Sequence, residues 1–226
     1  MRYKKIDIYI NYLFIFAKYL YIIFAIALLV IICWGINKGF DFTDEGLYIL
    51  SYDNFQELFF VKSQFYLIVR YFFSWLGDSV IFYRLLRLGL LLLSSVIFSI
   101  GAINLMKYFC RIKLKNIDKV LISSILISSF FMSYMNLPQS LSYNDLNMAF
   151  SSLAAGFIFI AFNKNIKHYL YFVSGIFAGL IFFVKITTAF PFMLIMLIII
   201  VLFNVKKPFK FILKVFTFFI LGSILP

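Results

Sequence analysis

Charge is scarce in this chain. Only 13% of its 226 residues are Asp, Glu, Lys or Arg, against roughly a quarter in soluble domains. With 64% of residues hydrophobic and 22% aromatic, the chain cannot cover itself with a polar surface. That excludes a soluble globular domain and makes lipid the outer solvent. Histidine is nearly missing: His168 stands alone, and at an expected cytoplasmic helix end it reads as an interfacial residue rather than a metal ligand. The two cysteines, Cys33 and Cys110, fall on opposite sides of the expected bilayer and form no disulfide framework. No small-residue cleavage site follows the first apolar run, which is long, so it reads as a retained span and not a cleaved signal peptide. The sequence has no internal repeat, low-complexity tract or soluble domain.

What is present is a series of apolar runs of spanning length, each needing about 20 residues. They cover Tyr19 to Ile36, Val80 to Met106, Val120 to Met135, Leu146 to Phe162, Tyr169 to Val184 and Ala189 to Phe203, with a shorter last run from Phe211 to Pro226. The expected fold is all-α, a polytopic transmembrane bundle of about seven spans. The net charge of +12 does not indicate nucleic acid, because the basic residues fall in short clusters between the spans rather than along a groove. With the N-terminus in the cytoplasm, fifteen Lys and Arg lie inside and six outside: Lys38, Lys62, Arg70, Arg84, Arg87 and Lys185. This is the positive-inside pattern. It implies a multi-pass protein of the inner (plasma) membrane.

The acidic residues sort the other way. Asp41, Asp44, Glu45, Asp53, Glu57, Asp78 and Asp145, seven of the nine, lie outside. The segment 37–79 is expected to be a first extracytoplasmic loop with two juxtamembrane helices. Tyr48, Tyr52, Phe55 and Phe59 recur at helical spacing as an aromatic stripe, with Asp53 and Glu57 on another face. That pattern suits the membrane surface. Phe65 to Leu76 is apolar but, at about 1.5 Å per residue, too short to span.

Four constellations can carry chemistry. Asp44-Glu45, just beyond the first span, suits acid–base work or a divalent cation held through oxygen. It equally suits the first turn of a helix capped by Thr43. Asn144-Asp145 opens the fourth span and has the same two readings, site or N-cap. Lys185, at the outer end of an apolar helix, either meets a phosphate as a point charge or snorkels to the interface. Arg84 and Arg87, three apart on one helical face, either hold an anionic head group or pair with the acidic loop. Together these residues put carboxylates and cations at one membrane face. A reaction on a lipid-linked phosphate needs that layout.

The order of these motifs resembles the GT-C membrane glycosyltransferases, in the branch of the protein O-mannosyltransferases, the lipid A aminoarabinose transferases and bacterial proteins of the dolichyl-phosphate-mannose-protein mannosyltransferase type. Thr43-Asp44-Glu45-Gly46-Leu47-Tyr48 resembles that family's Asp-Glu-x-x-Tyr signature after the first span. Phe82-Tyr83-Arg84 resembles its arginine entry to the second span, and Gly179 through Lys185 its glycine-to-lysine helix end. Lys62 falls at the family's lysine before Pro-Pro, where this chain has Ser63-Gln64. The resemblance implies an enzyme that moves a sugar from a polyprenyl-phosphate donor to an extracytoplasmic glycan, lipid or protein. In it Asp44 is the catalytic base or an acceptor-positioning carboxylate, Glu45 its helper or a metal-side carboxylate, and Asp145 a second acceptor-site acid. Lys185 is the donor-phosphate ligand, with Arg84 and Lys62 as further phosphate partners. No cofactor is implied for certain; some relatives bind a divalent cation, and no outer histidine supports a zinc site. Family members are longer, so residues 1–226 are expected to be an incomplete GT-C-like transmembrane domain, an N-terminal part of a larger protein. The rival expectation, from another class, is a transporter or a non-catalytic membrane component of envelope polysaccharide assembly.

Overall fold

A computed structural model of the chain describes residues 2–39, 44–53, 65–73, 75, 79–110, 113–135, 140–163 and 168–226. Every long element among them is an α-helix. In chain order these are α1 (Arg2–Gly35), α2 (Asp44–Asp53), α3 (Phe65–Phe73), α4 (Val80–Cys110), α5 (Asn116–Tyr134), α6 (Tyr143–Asn163), α7 (His168–Val184), α8 (Ile186–Asn204) and α9 (Phe209–Ile224). Five segments are long and apolar enough to cross a membrane: Tyr12–Gly35, Val80–Phe109, Asn116–Tyr134, Tyr143–Phe162 and Ile186–Asn204. The chain is therefore a multi-pass helical membrane protein. α7, with 17 residues, and α9, with 16, are shorter than α1, α4, α5, α6 and α8.

Side-chain contacts set the direction of each helix. α1 and α5 run parallel, joined by the ion pair of Lys18, midway along α1, with Asp118 in the first turn of α5, and by Leu28 and Ile32 against Phe131 and Tyr134 near the ends of both helices. α4 and α6 also run parallel, from Arg87 beside Asp145 to the edge-on ring contact of Tyr108 and Phe162. α7 returns antiparallel to α6, and α9 runs parallel to α7. The ends of α1, α5, α7 and α9 therefore meet the starts of α4, α6 and α8 at one end of the bundle. The opposite end carries the described lysines 107, 113, 115, 119, 206, 207, 210 and 214. α6 is the central helix, with 56% of its apolar window buried, whereas α1 buries 11% and keeps an apolar flank for lipid.

The helices start earlier than their apolar runs. α6 begins at Tyr143 and not Leu146, and α8 at Ile186 and not Ala189, because polar residues make the first turn. Between α1 and α4, the described helical part of the aromatic stripe is α2. Residues 54–64, with Phe55, Glu57 and Phe59, lie outside the described residues. Tyr52 of α2 packs its ring on Tyr83 of α4 at 4.7 Å and donates its hydroxyl to the Leu141 carbonyl before α6. α3 buries Tyr66 and Val69 and exposes Arg70, Tyr71 and Phe72. Both short helices thus belong to the same bundle end. Their buried residues join Leu141, Leu146, Ile181, Val184 and Ala189 in one core.

Lipid tails are as apolar as leucine, so helices in a bilayer associate by close packing and hydrogen bonds rather than by leaving water. α7 and α9 do this through glycine. Gly175-Ile176-Phe177-Ala178-Gly179 brings α7 onto α9 so closely that a Cβ at Gly175 would collide with the Phe219 carbonyl, one at Gly179 with the Ser223 carbonyl, and one at Gly222 with the Phe172 carbonyl. On the other side of α7, Ser174 Oγ donates to the Ala154 carbonyl of α6 at 2.7 Å. Gly89, by contrast, has nothing within 4 Å of a built Cβ. Gly175→Val is expected to lower the thermal unfolding midpoint of the detergent-solubilised protein by a stability loss of about 1–3 kcal/mol or more, while Gly89→Ala leaves it level or slightly raised. Equal midpoints for both variants would refute the glycine-packed seam.

Candidate functional site

The bundle end that gathers α2, α3 and the starts of α4, α6 and α8 holds the candidate residues, and it is built from helix termini upward. α1 ends at Gly35, leaving carbonyls without helical partners. The chain then turns through Gly39, whose φ of +69° suits glycine. Arg84, in the first turns of α4, is 2% exposed and takes up these carbonyls. Its Nη1 donates to Ile36 O at 2.9 Å and Lys38 O at 3.1 Å, and its Nη2 to Gly39 O at 2.6 Å. A cation at a helix C-terminus is favoured by the helix dipole as well. Through these three bonds the Arg84 guanidinium fastens α1 to α4. In the sequence it read as a phosphate partner.

Arg87, one turn further along α4, reaches in two directions. Its Nη2 lies 2.8 Å from Asp145 Oδ1 in α6 and donates to Ser133 O at 3.1 Å, near the end of α5. Its guanidinium sits 4.8 Å from the centre of the Tyr134 ring. Arg87 is 3% exposed and Asp145 5%.

Asp145 is held from its other side by its own helix. Ser142 is the N-cap of α6. Its backbone N–H and its hydroxyl both donate to Asp145 Oδ2, at 2.9 and 2.5 Å, and its Oγ accepts the Asp145 N–H at 3.3 Å. This is a capping box, with the carboxylate at the third helical position and the hydroxyl at the cap. The sequence reading put the cap at Asn144 or Asp145. The structure puts it at Ser142, which is why the helix gains three residues. One oxygen of Asp145 thus serves the cap and the other serves Arg87.

Lys185 joins α7 to α8. Its extended backbone (φ −157°, ψ 93°) makes it the N-cap of α8. Its N–H bonds Ile181 O at 2.8 Å, and its carbonyl accepts from the N–H groups of Thr188 and Ala189. The half-buried ammonium lies 5.3 Å from the centre of the Tyr143 ring, at the start of α6. Thr188 Oγ1 lies 2.9 Å from both Asn147 Oδ1 and the Lys185 carbonyl. Pro191 lacks the N–H that would bond Thr187 O, so these side-chain bonds take a larger share in holding the first turn of α8. Asn147 and Thr188 were not singled out in the sequence. A polar pair across two apolar helices is the signal that marks them.

Asp44 begins α2, which sits at this bundle end. The side chains of Asp44 and Glu45, and the whole of Lys62, lie outside the described residues. Among the described residues no three metal-ligating side chains come together. No protein-family model, no curated protein and no solved structure matches the chain.

The pairing of Arg87 with Asp145 carries a test. Removing one partner of a buried ion pair strands the other charge, which costs about 3–5 kcal/mol, whereas replacing both with apolar groups is often neutral. Arg87→Leu alone is expected to destabilise the protein by that amount in detergent unfolding, and Arg87→Leu with Asp145→Leu to regain most of it. A double variant as unstable as the sum of the two singles would show that the pair does not act as a unit.

Proposed function

We propose that the chain is a membrane glycosyltransferase of the GT-C type, acting on a polyprenyl-phosphate-linked sugar at the extracytoplasmic face of the plasma membrane. Its acceptor is a glycan, lipid or protein. One observation carries this reading: a single bundle end gathers the acidic start of α2, the Arg87–Asp145 pair and the Lys185 ammonium. A sugar leaving a phosphate needs a cation for the leaving group and a carboxylate for the incoming hydroxyl. Nearby apolar walls exclude water and strengthen both.

In this reading Asp44 takes the proton of the acceptor hydroxyl as its oxygen bonds the anomeric carbon. The bond from that carbon to the phosphate oxygen breaks on the opposite face, which inverts the centre. The phosphate departs with the electron pair toward Lys185. Glu45 assists Asp44, and the pair is the place for a divalent cation, if one takes part. Lys62 is a further phosphate partner. Asp145 is the second acid of the acceptor side and works as a fixed wall, since both its oxygens already accept hydrogen bonds. Arg84 serves through the α1–α4 clasp. α7 and α9 complete about seven spans, α2 and α3 lie in the outer interface, and the lysine-rich end faces the cytoplasm, as the positive-inside pattern favours.

Two experiments test this. In membranes supplied with polyprenyl-phosphate sugar, Asp44→Asn should abolish transfer at unchanged protein level; normal transfer would remove Asp44 as the base. In a background of Cys33→Ser and Cys110→Ser, a membrane-impermeant maleimide should label Lys38→Cys in intact cells and Lys207→Cys only after permeabilisation. The reverse pattern would invert the topology and sink the extracytoplasmic reaction.

A further inference from the structure

Two contacts one turn apart tie α6 to the α7–α8 junction: Tyr143 under the Lys185 ammonium, and Asn147 against Thr188. Tyr143 and Asn147 stand four apart in α6, and Lys185 and Thr188 three apart in sequence. Side chains at such spacings share a face, so the four form one wall. The Thr188 hydroxyl carries a single proton, yet two acceptors lie 2.9 Å away, Asn147 Oδ1 and the Lys185 carbonyl. Only one takes that proton at a time. If the carbonyl takes it, the Asn147 amide turns to donate one N–H to Thr188. If Asn147 Oδ1 takes it, both N–H groups stay available. In either arrangement at least one amide N–H is left over.

That donor lies one turn from the Lys185 ammonium, which has no hydrogen bond or ion pair among the described residues. Lys185, Asn147 and Thr188 are all half-buried. A lysine supplies a point charge without direction. A fixed amide supplies direction, and hydrogen bonds to a phosphate oxygen are among the strong ones. The geometry points to Asn147 as a second ligand of the phosphate faced by Lys185, with Thr188 a positioning residue that holds the amide. This rests on the donor-phosphate reading of Lys185 above. It adds to that reading a means of telling a phosphate from a bare negative charge.

The test measures binding of undecaprenyl phosphate to the detergent-solubilised protein by native mass spectrometry, with undecaprenol, phosphatidylglycerol and inorganic phosphate as further probes. Asn147→Asp is nearly isosteric and puts a negative charge against the phosphate. It should weaken undecaprenyl phosphate binding about tenfold or more, the scale of one charge-assisted hydrogen bond. Undecaprenol binding and the ligand-free unfolding midpoint should stay the same. Thr188→Val should weaken phosphate binding less, and Thr188→Ser should restore it. Asn147→Ala serves if Asn147→Asp does not fold. Unchanged phosphate binding in both the Asn147 and Thr188→Val variants, with loss in Lys185→Ala, overturns this inference and leaves the donor site standing. Unchanged binding in Lys185→Ala overturns the donor-site reading itself. Equal loss of undecaprenol binding in Asn147→Asp marks a merely structural residue and also overturns the inference. Inorganic phosphate held at the same site should weaken in parallel; if the unsubstituted protein binds phosphatidylglycerol or inorganic phosphate as tightly as undecaprenyl phosphate, the anion site holds and its assignment to the polyprenyl donor is overturned.

Discussion

Two opposite charges stand between helices where water does not reach, and each makes the other tolerable. Arg87 and Asp145 are both almost fully buried and 2.8 Å apart. Alone, either would cost several kcal/mol of lost hydration. Paired, they fix the register of α4 against α6, and because the same guanidinium takes the Ser133 carbonyl, they fix α5 as well. The Ser142 cap then orients the carboxylate from below. The positions of Tyr143, Asn147 and the Lys185 junction follow from where this pair sets α6.

The same economy applies at the end of α1. Arg84 spends a charge on backbone carbonyls that a turn leaves bare. The two arginines, three residues apart, therefore do different work. One closes a helix end and the other closes an ion pair. With both engaged inside the protein, Lys185 is the described cation of this bundle end that is half-buried and held by an aromatic ring. This division separates the two cations that build the framework from Lys185, the one the proposed function assigns to a phosphate.

Much of the fold was legible in the sequence, because a bilayer demands long apolar helices and the chain displays them. The lysine-rich turns between the apolar runs were legible for the same reason. Helix starts were not, since hydropathy marks where a helix is greasy and not where its backbone begins. Ser142-Tyr143-Asn144-Asp145 carried the capping box in plain view, yet its polarity made it look like a turn. Partners distant in sequence stayed hidden: nothing local to Arg87 names Asp145, and nothing local to Asn147 names Thr188. The two glycines of α7, Gly175 and Gly179, were visible as a spacing, but their partner helix lies beyond all of α8.

That last separation bears on how the protein is made. α7 leaves the ribosome with its glycine face toward a neighbour that does not yet exist, and α8 must be inserted before α9 arrives. Until then α7 rests mainly on α6, through contacts such as Ser174 on Ala154, and on the start of α8, through Phe182 against Phe190. The seam that fixes α7, and with it the turn that carries Lys185, closes only once α9 has been made. The cation of the candidate site is thus set later than Arg87 and Asp145, and a chain released before α9 would enter the membrane with α7 unfastened on its glycine face.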